Sequence, residues 1–236
     1  NIFLARLLFP QDFGTFAIVT FVIIFFTVFS DLGLGPSLVQ KEGKLASKDL
    51  QTAFTIHLIL SLAIVLLIYF TAPLISRFYN LGETGVNLFR LYSLYLVFLP
   101  AKTTSGAALE KNLEYPKLVT IEVAEILASS AVTVTFAFLG FGVVSFAVGV
   151  VVGHLISAIL YFKFSPWPVK LLISKSNFLK IARFGLPFQS NIFFGLFYGP
   201  AILLYLGKIV GSQNLGFYQF AAGLSALPMA IPEILN

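Results

Sequence analysis

Polar positions along this chain are few and gathered into short clusters, and between them apolar residues run on without a period-two alternation. Runs of that kind predict helices that cross a hydrocarbon layer about 30 Å thick, not the strands of a barrel. The segment 1–8 reads as the tail of a first helix, too short to span by itself. Pro10, Gln11 and Asp12 form a turn in which Asp12 caps the next helix. Helices are expected over 13–34, 50–75, 88–109, 118–139, 143–164 and 186–206, with another beginning near Leu215. Gly33, Gly35 and Pro36 stop the first of these, and Gly140 and Gly142 make a minimal turn that sets its two neighbours antiparallel.

Two stretches break the pattern. Within 88–109, Pro100 is followed by Lys102, Thr103, Thr104, Ser105 and Gly106, a polar interruption in an apolar span. The connection 165–185 opens with Pro166 and Pro168 and continues into 176–184. There Phe178, Leu179, Ile181 and Ala182 share one side and Lys180 and Arg183 the other, as in an amphipathic helix lying at the membrane interface.

Composition agrees with the helix pattern. Hydrophobic residues make up 58% of the chain and charged residues 11%, and the mean hydropathy is +0.94, outside the range of soluble domains. The basic balance does not indicate nucleic acid, because the Lys and Arg residues are scattered in short loops without an aromatic and basic patch. Membrane topology accounts for them better. Lys41, Lys44, Lys48, Lys111 and Lys117, with the basic residues of 163–183, fall on one side, and only Arg6, Arg77, Arg90 and Lys208 fall on the other. The richer side is expected to be cytoplasmic. The absence of cysteine excludes disulfides and thiolate metal sites.

One motif comes round twice. LARLLFPQDFGTF (4–16) is matched by LGKIVGSQNLGFY (206–218), with Arg6 against Lys208, Asp12 against Asn214, Gly14 against Gly216 and Phe16 against Tyr218. In each copy a basic residue closes an apolar segment, a polar turn follows, and a second apolar segment begins. An internal repeat of like orientation suits two helical halves related by an axis along the membrane normal. On this reading 1–164 is an N-terminal lobe of six helices with its first helix truncated, 165–185 is a cytoplasmic linker, and 186–236 starts a second lobe whose remaining helices are missing.

Charges inside a bilayer cost several kcal/mol unless they face a cavity or a partner, so they are the functional candidates. Lys102 either faces a cavity or snorkels to the headgroups. Arg6 and Lys208 either rim a central cavity or anchor helix ends, and Arg90 is a further cation on their side. Asp31, Glu122 and Glu125 are candidates for a polar cavity or a coupling relay; Glu122 and Glu125 share a helix face, as helix-end carboxylates also do. Gln189 and Asn191, with Ser190, either touch a sugar or hydrogen-bond between helices. His57 and His154 stand alone without ligand spacing and read as packed polar residues. No metal site and no cofactor are expected. No P-loop, HExxH or GxSxG motif is present, and no loop is long enough for a soluble catalytic domain, so the sequence does not indicate an enzyme.

LARLLFPQDFGTF, SDLGLGPSLVQ (30–40), APLISRFY (72–79), SPWP (165–168) and FGLP (184–187), taken in order and spacing, resemble the polysaccharide-type flippases of the multidrug/oligosaccharidyl-lipid/polysaccharide exporter superfamily. The resemblance covers essentially the whole chain. It implies an all-α transmembrane bundle, here the first six-helix lobe plus the first two helices of the second lobe of a two-lobe transporter with 12 or 14 helices. It further implies residence in the inner membrane and alternating-access export of undecaprenyl-diphosphate-linked oligosaccharide. The lipid-linked glycan, membrane lipids and polysaccharide assembly machinery are the implied partners, and nucleic acid is not one. Arg6, Arg90, Lys102 and Lys208 would then hold the anionic diphosphate. A drug or organic-cation exporter of the same superfamily and a membrane-embedded glycan polymerase or ligase stand as alternatives.

Overall fold

The computed structural model describes residues 4–196 and 200–235, and the side chains within them except those of 5, 6, 200, 224 and 226–235. Among these residues every regular element is a helix: α1 (Leu4–Leu7), α2 (Pro10–Asp31), α3 (Leu34–Gln40), α4 (Ser47–Phe78), α5 (Gly82–Ser93), a 3-10 segment (Leu94–Phe98), α6 (Leu99–Lys111), α7 (Tyr115–Phe138), α8 (Val144–Phe164), α9 (Lys175–Gly195) and α10 (Pro200–Leu235). Four of them, α2, α4, α7 and α8, are long and apolar enough to cross a bilayer. The chain is an all-α membrane protein. Its exposed apolar residues, such as Leu66, Phe70 and Leu74 on α4 and Ile126 and Leu127 on α7, are those a lipid-facing surface requires.

The core lies where α2, α4, α5 and α8 meet. Val19, Ile23, Ile68, Phe89, Leu96 and Ala147 are closed off there, with Phe16 stacked on Phe146 at 4.7 Å between ring centres. The span expected over 88–109 is instead two α-helices joined by the 3-10 segment, with Pro100 at the start of α6. Proline lacks the N–H that would continue the ladder, so the chain tightens just ahead of it and re-forms an α-helix beyond it.

The basic loops all lie at one end of the bundle. There Lys111 donates to the carbonyls of Val39, at 3.0 Å, and Lys41, closing the C-terminus of α3, while Lys41 pairs with Asp49 at the start of α4. The non-helical part of the linker is strapped across this end. Trp167 donates to Ser105 at 3.0 Å, Gln51 to the Pro168 carbonyl at 2.8 Å, and the Leu172 N–H to Thr55 at 3.0 Å.

The second half of the linker differs from the sequence expectation. The amphipathic stretch 176–184 and the opening of the following span are one uninterrupted helix, α9, that runs through the boundary at 185. Gly185 does not break it, because this glycine serves packing: a methyl group there would lie 2.3 Å from the Leu32 carbonyl oxygen, so α9 sits directly against the end of α2. Ile181 is buried against α3 and α4, and the face carrying Lys180 stays open.

At the other end of the bundle the two copies of the repeat meet. A methyl group on Gly14 would lie 1.6 Å from the Ser212 carbonyl oxygen, and one on Gly216 would lie 1.8 Å from the Pro10 carbonyl oxygen. Pro10 and Ser212 are equivalent in the repeat, as are Gly14 and Gly216. Each glycine is therefore filled by the carbonyl one helical turn ahead of the other, a relation unchanged when the copies are exchanged. That is the signature of a local two-fold axis. The contact is backbone on backbone, and Leu215 is fully enclosed beside Ala17 and Ile18. The new helix expected near Leu215 begins just past Gly211: α10 is two helices meeting at a kink there, where Gly211 has φ 78° and ψ 166°, a non-helical conformation glycine adopts without strain.

Candidate functional site

Small residues decide which polar groups meet inside the bundle. Gly149 and Gly153 on α8 leave no room for a side chain, since a methyl group would lie 1.9 Å from Thr133 Oγ1 at the first and 2.9 Å from Ser129 Cβ at the second. Helices α7 and α8 thus pack along a small-residue seam. The close approach brings Glu125 of α7 within 3.5 Å of His154 Nε2 on α8. From α6, Lys102 reaches the other carboxylate oxygen at 3.6 Å. Three helices each supply one ionisable group to a single centre.

The surroundings of that centre are asymmetric. The Lys102 side chain is 39% exposed and opens to a cavity, whereas that of Glu125 is 14% exposed and its Oε2 has no hydrogen-bond partner. His154 Nδ1 lies 3.0 Å from the Val150 carbonyl, and its ring packs on Tyr95 at 4.8 Å between centres. The Tyr95 hydroxyl in turn meets Thr27 at 3.3 Å. A polar line therefore runs through the apolar core from α2 to α6.

The cavity beside Lys102 has a volume of about 470 Å³ and is bounded by Asp31, Thr103, Glu122, Tyr161 and Phe188. Its rim at the lysine-rich end carries Gln40 and Glu110. The Asp31 carboxylate stands at the end of α2, near the start of α3, and its Oδ1 is buried without a hydrogen-bond partner. Around Lys102 the cavity is acidic, which departs from the positively lined gap expected from sequence.

The remaining candidates fall elsewhere. Arg90 lies over the Tyr69 ring at 4.3 Å and donates to the Tyr69 carbonyl at 3.4 Å, on the outward side of α4. Lys208 donates to the Phe78 carbonyl at the C-terminus of α4 and sits 4.4 Å from the Phe78 ring. Gln189 is buried and donates to the Val28 carbonyl at 2.6 Å, joining α9 to α2, while Asn191 is exposed. The Arg6 side chain lies outside those described. Lys102, Glu122 and Asp31 thus line one cavity, with Glu125 set behind Lys102, and Arg90 and Lys208 are not beside them. His154 is the member that sequence reasoning set aside. Its signal was available: a lone titratable residue in the middle of an apolar span. Among the described residues no three His, Asp or Glu side chains converge as a metal site.

A bundle with several apolar spanning helices and an ionisable centre within it is a multi-pass membrane protein. Residues 3–233 match the family described as polysaccharide biosynthesis protein, and the chain belongs to that family. It is 23% identical over 227 residues to the lipopolysaccharide biosynthesis protein WzxC of Escherichia coli, covering 95% of this chain and 46% of that protein. It is also 23% identical over 212 residues to the teichuronic acid biosynthesis protein TuaB of Bacillus subtilis, covering 87% and 43%. The succinoglycan biosynthesis transport protein ExoT of Rhizobium meliloti is 20% identical over 225 residues, covering 95% and 45%. The chain spans less than half the length of these relatives. No solved structure matches.

Proposed function

We propose that this chain is part of a flippase that carries a lipid-linked oligosaccharide, with a polyprenyl diphosphate anchor, across the cytoplasmic membrane. Membership of a polysaccharide biosynthesis family and the transport role in the name of ExoT support that reading. The structural observation that carries it is Lys102, a cation open to a cavity whose rim lies at the lysine-rich end, the cytoplasmic one by the positive-inside rule. There the ammonium would hold the diphosphate by charge-assisted hydrogen bonds. Asp31, Glu110, Glu122 and Gln40 would accept from and donate to sugar hydroxyls, and the prenyl tail would stay in lipid. Export then follows from rocking of two lobes about the repeat contact, a transport step without bond chemistry. Membrane lipids and the polysaccharide assembly machinery are the remaining partners.

The acidic lining favours one other reading, an exporter of organic cations. The full-length protein in proteoliposomes separates the possibilities. A flippase moves a fluorescent prenyl-diphosphate glycan between leaflets at unchanged glycan length and leaves tetraphenylphosphonium where it was. Transport of the phosphonium alone would make it a cation exporter, and a lengthened glycan would make it a polymerase.

A further inference from the structure

The centre formed by Lys102, Glu125 and His154 has more acceptors than protons to fill them. A carbonyl only accepts, so the 3.0 Å contact to Val150 requires the proton on His154 Nδ1. In the neutral ring Nε2 is then a lone pair, and it faces the Glu125 carboxylate at 3.5 Å. Two acceptors opposed in an apolar interior are a place for one more proton. Among the described residues Lys102, from the far side of the carboxylate, is the cation that balances the charge.

We propose that Glu125 and His154 form a proton-binding site whose occupancy is set by Lys102, so that binding of an anionic head group and uptake of a proton occur together. The inference rests on the diphosphate reading above for the identity of the anion. When the anion draws Lys102 into the cavity, Glu125 loses its counterion in a region where an unpaired carboxylate costs several kcal/mol. The carboxylate takes one proton from water in the cavity, becomes a neutral acid, and donates its new O–H to His154 Nε2. No other bond is made or broken.

The charged and titratable neighbours fit this assignment. Glu122, Glu110 and Asp31 face the cavity, and Glu125 stands behind Lys102, which makes the region too negative for an anion unless a carboxylate is neutralised on entry. Glu122 and Glu110 are exposed, and Asp31, at the end of α2, has no imidazole beside it among the described residues to share a proton. Glu125 is the half-buried carboxylate with a proton acceptor, His154 Nε2, beside it. Tyr95 and Tyr161 complete the set, Tyr95 with its hydroxyl already engaged by Thr27. By linkage, affinity for the anion rises as the pH falls, by up to about tenfold per unit for one proton.

The test is infrared spectroscopy of the full-length protein in nanodiscs at neutral pH, read at the C=O stretch of a protonated carboxyl group. Lys102→Met is expected to bring up this band without any ligand, and the double variant Lys102→Met, Glu125→Gln to remove it. Lys102→Arg keeps the charge, shows no band, and reports whether position 102 tolerates replacement. Farnesyl diphosphate added to the wild type is expected to raise the same band, with its binding followed by calorimetry. A missing band in Lys102→Met, or one that survives Glu125→Gln, overturns the proton site. Binding of farnesyl diphosphate without the band overturns the exchange. The band in Lys102→Met with no binding of farnesyl diphosphate supports the proton site and removes the diphosphate reading instead.

Discussion

Replacing Gly14 with leucine is expected to drive the two copies of the repeat apart and to abolish export by the full-length protein. The added Cβ alone would lie 1.6 Å from the Ser212 carbonyl oxygen, less than half an ordinary contact distance, and the obstacle is backbone that no rotamer change moves aside. Separation of α2 from α10 by several ångströms is the only relief. Gly216→Leu should reproduce the effect, because the repeat makes the two positions equivalent. Gly195→Ala should be silent, since nothing lies within 4 Å of a methyl group there. Residues 1–236 contain no cysteine, so spin labels at Gln11 and Gln213 meet no background from this part of the protein. A narrow distance distribution in the wild type, broadened and lengthened in Gly14→Leu and Gly216→Leu, is the expected result. An unchanged distribution would mean that the crossing does not hold the two halves together.

The second large effect is expected from Lys102→Glu. The new carboxylate would stand against Glu125 and join Asp31, Glu110 and Glu122 around the same cavity, whose lining cation among the described residues has been lost. An unpaired carboxylate at this depth costs about 3 kcal/mol, and about 1.4 kcal/mol is a factor of ten, so export should fall by more than a hundredfold. Lys102→Arg should keep a measurable share, because a guanidinium reaches the same partners and binds phosphate well. Export measured in cells that depend on the full-length protein, at matched protein levels, decides the matter. Wild-type export from Lys102→Glu would remove Lys102 from the binding site.

The helical framework could be read from the chain because long apolar runs leave a membrane protein few options, and the repeat could be read because Gly14 and Gly216 do the same work in both copies. What no local pattern contained was which faces turn toward each other. Arg90 and Lys102 are alike on paper, yet one lies over Tyr69 on the outward side of α4 and the other in the interior. His154 looked isolated because its partner is on another helix, brought close by Gly149 and Gly153. The split of 88–109 into α5, a 3-10 segment and α6 was foreshadowed by Pro100. The continuity of α9 through Gly185 was hidden, because a glycine kept for close packing and one that ends a helix are the same letter.

The central claim is that an anionic lipid head group enters the cavity beside Lys102 from the lysine-rich side. Thr103 lines that cavity next to Lys102, and residues 1–236 contain no other thiol. In the full-length protein, Thr103→Cys should react with a membrane-impermeant methanethiosulfonate applied from the cytoplasmic side, and a prenyl-diphosphate-linked glycan should protect it. Labelling that the glycan lipid leaves unchanged, or that proceeds only from the opposite side, would contradict the account.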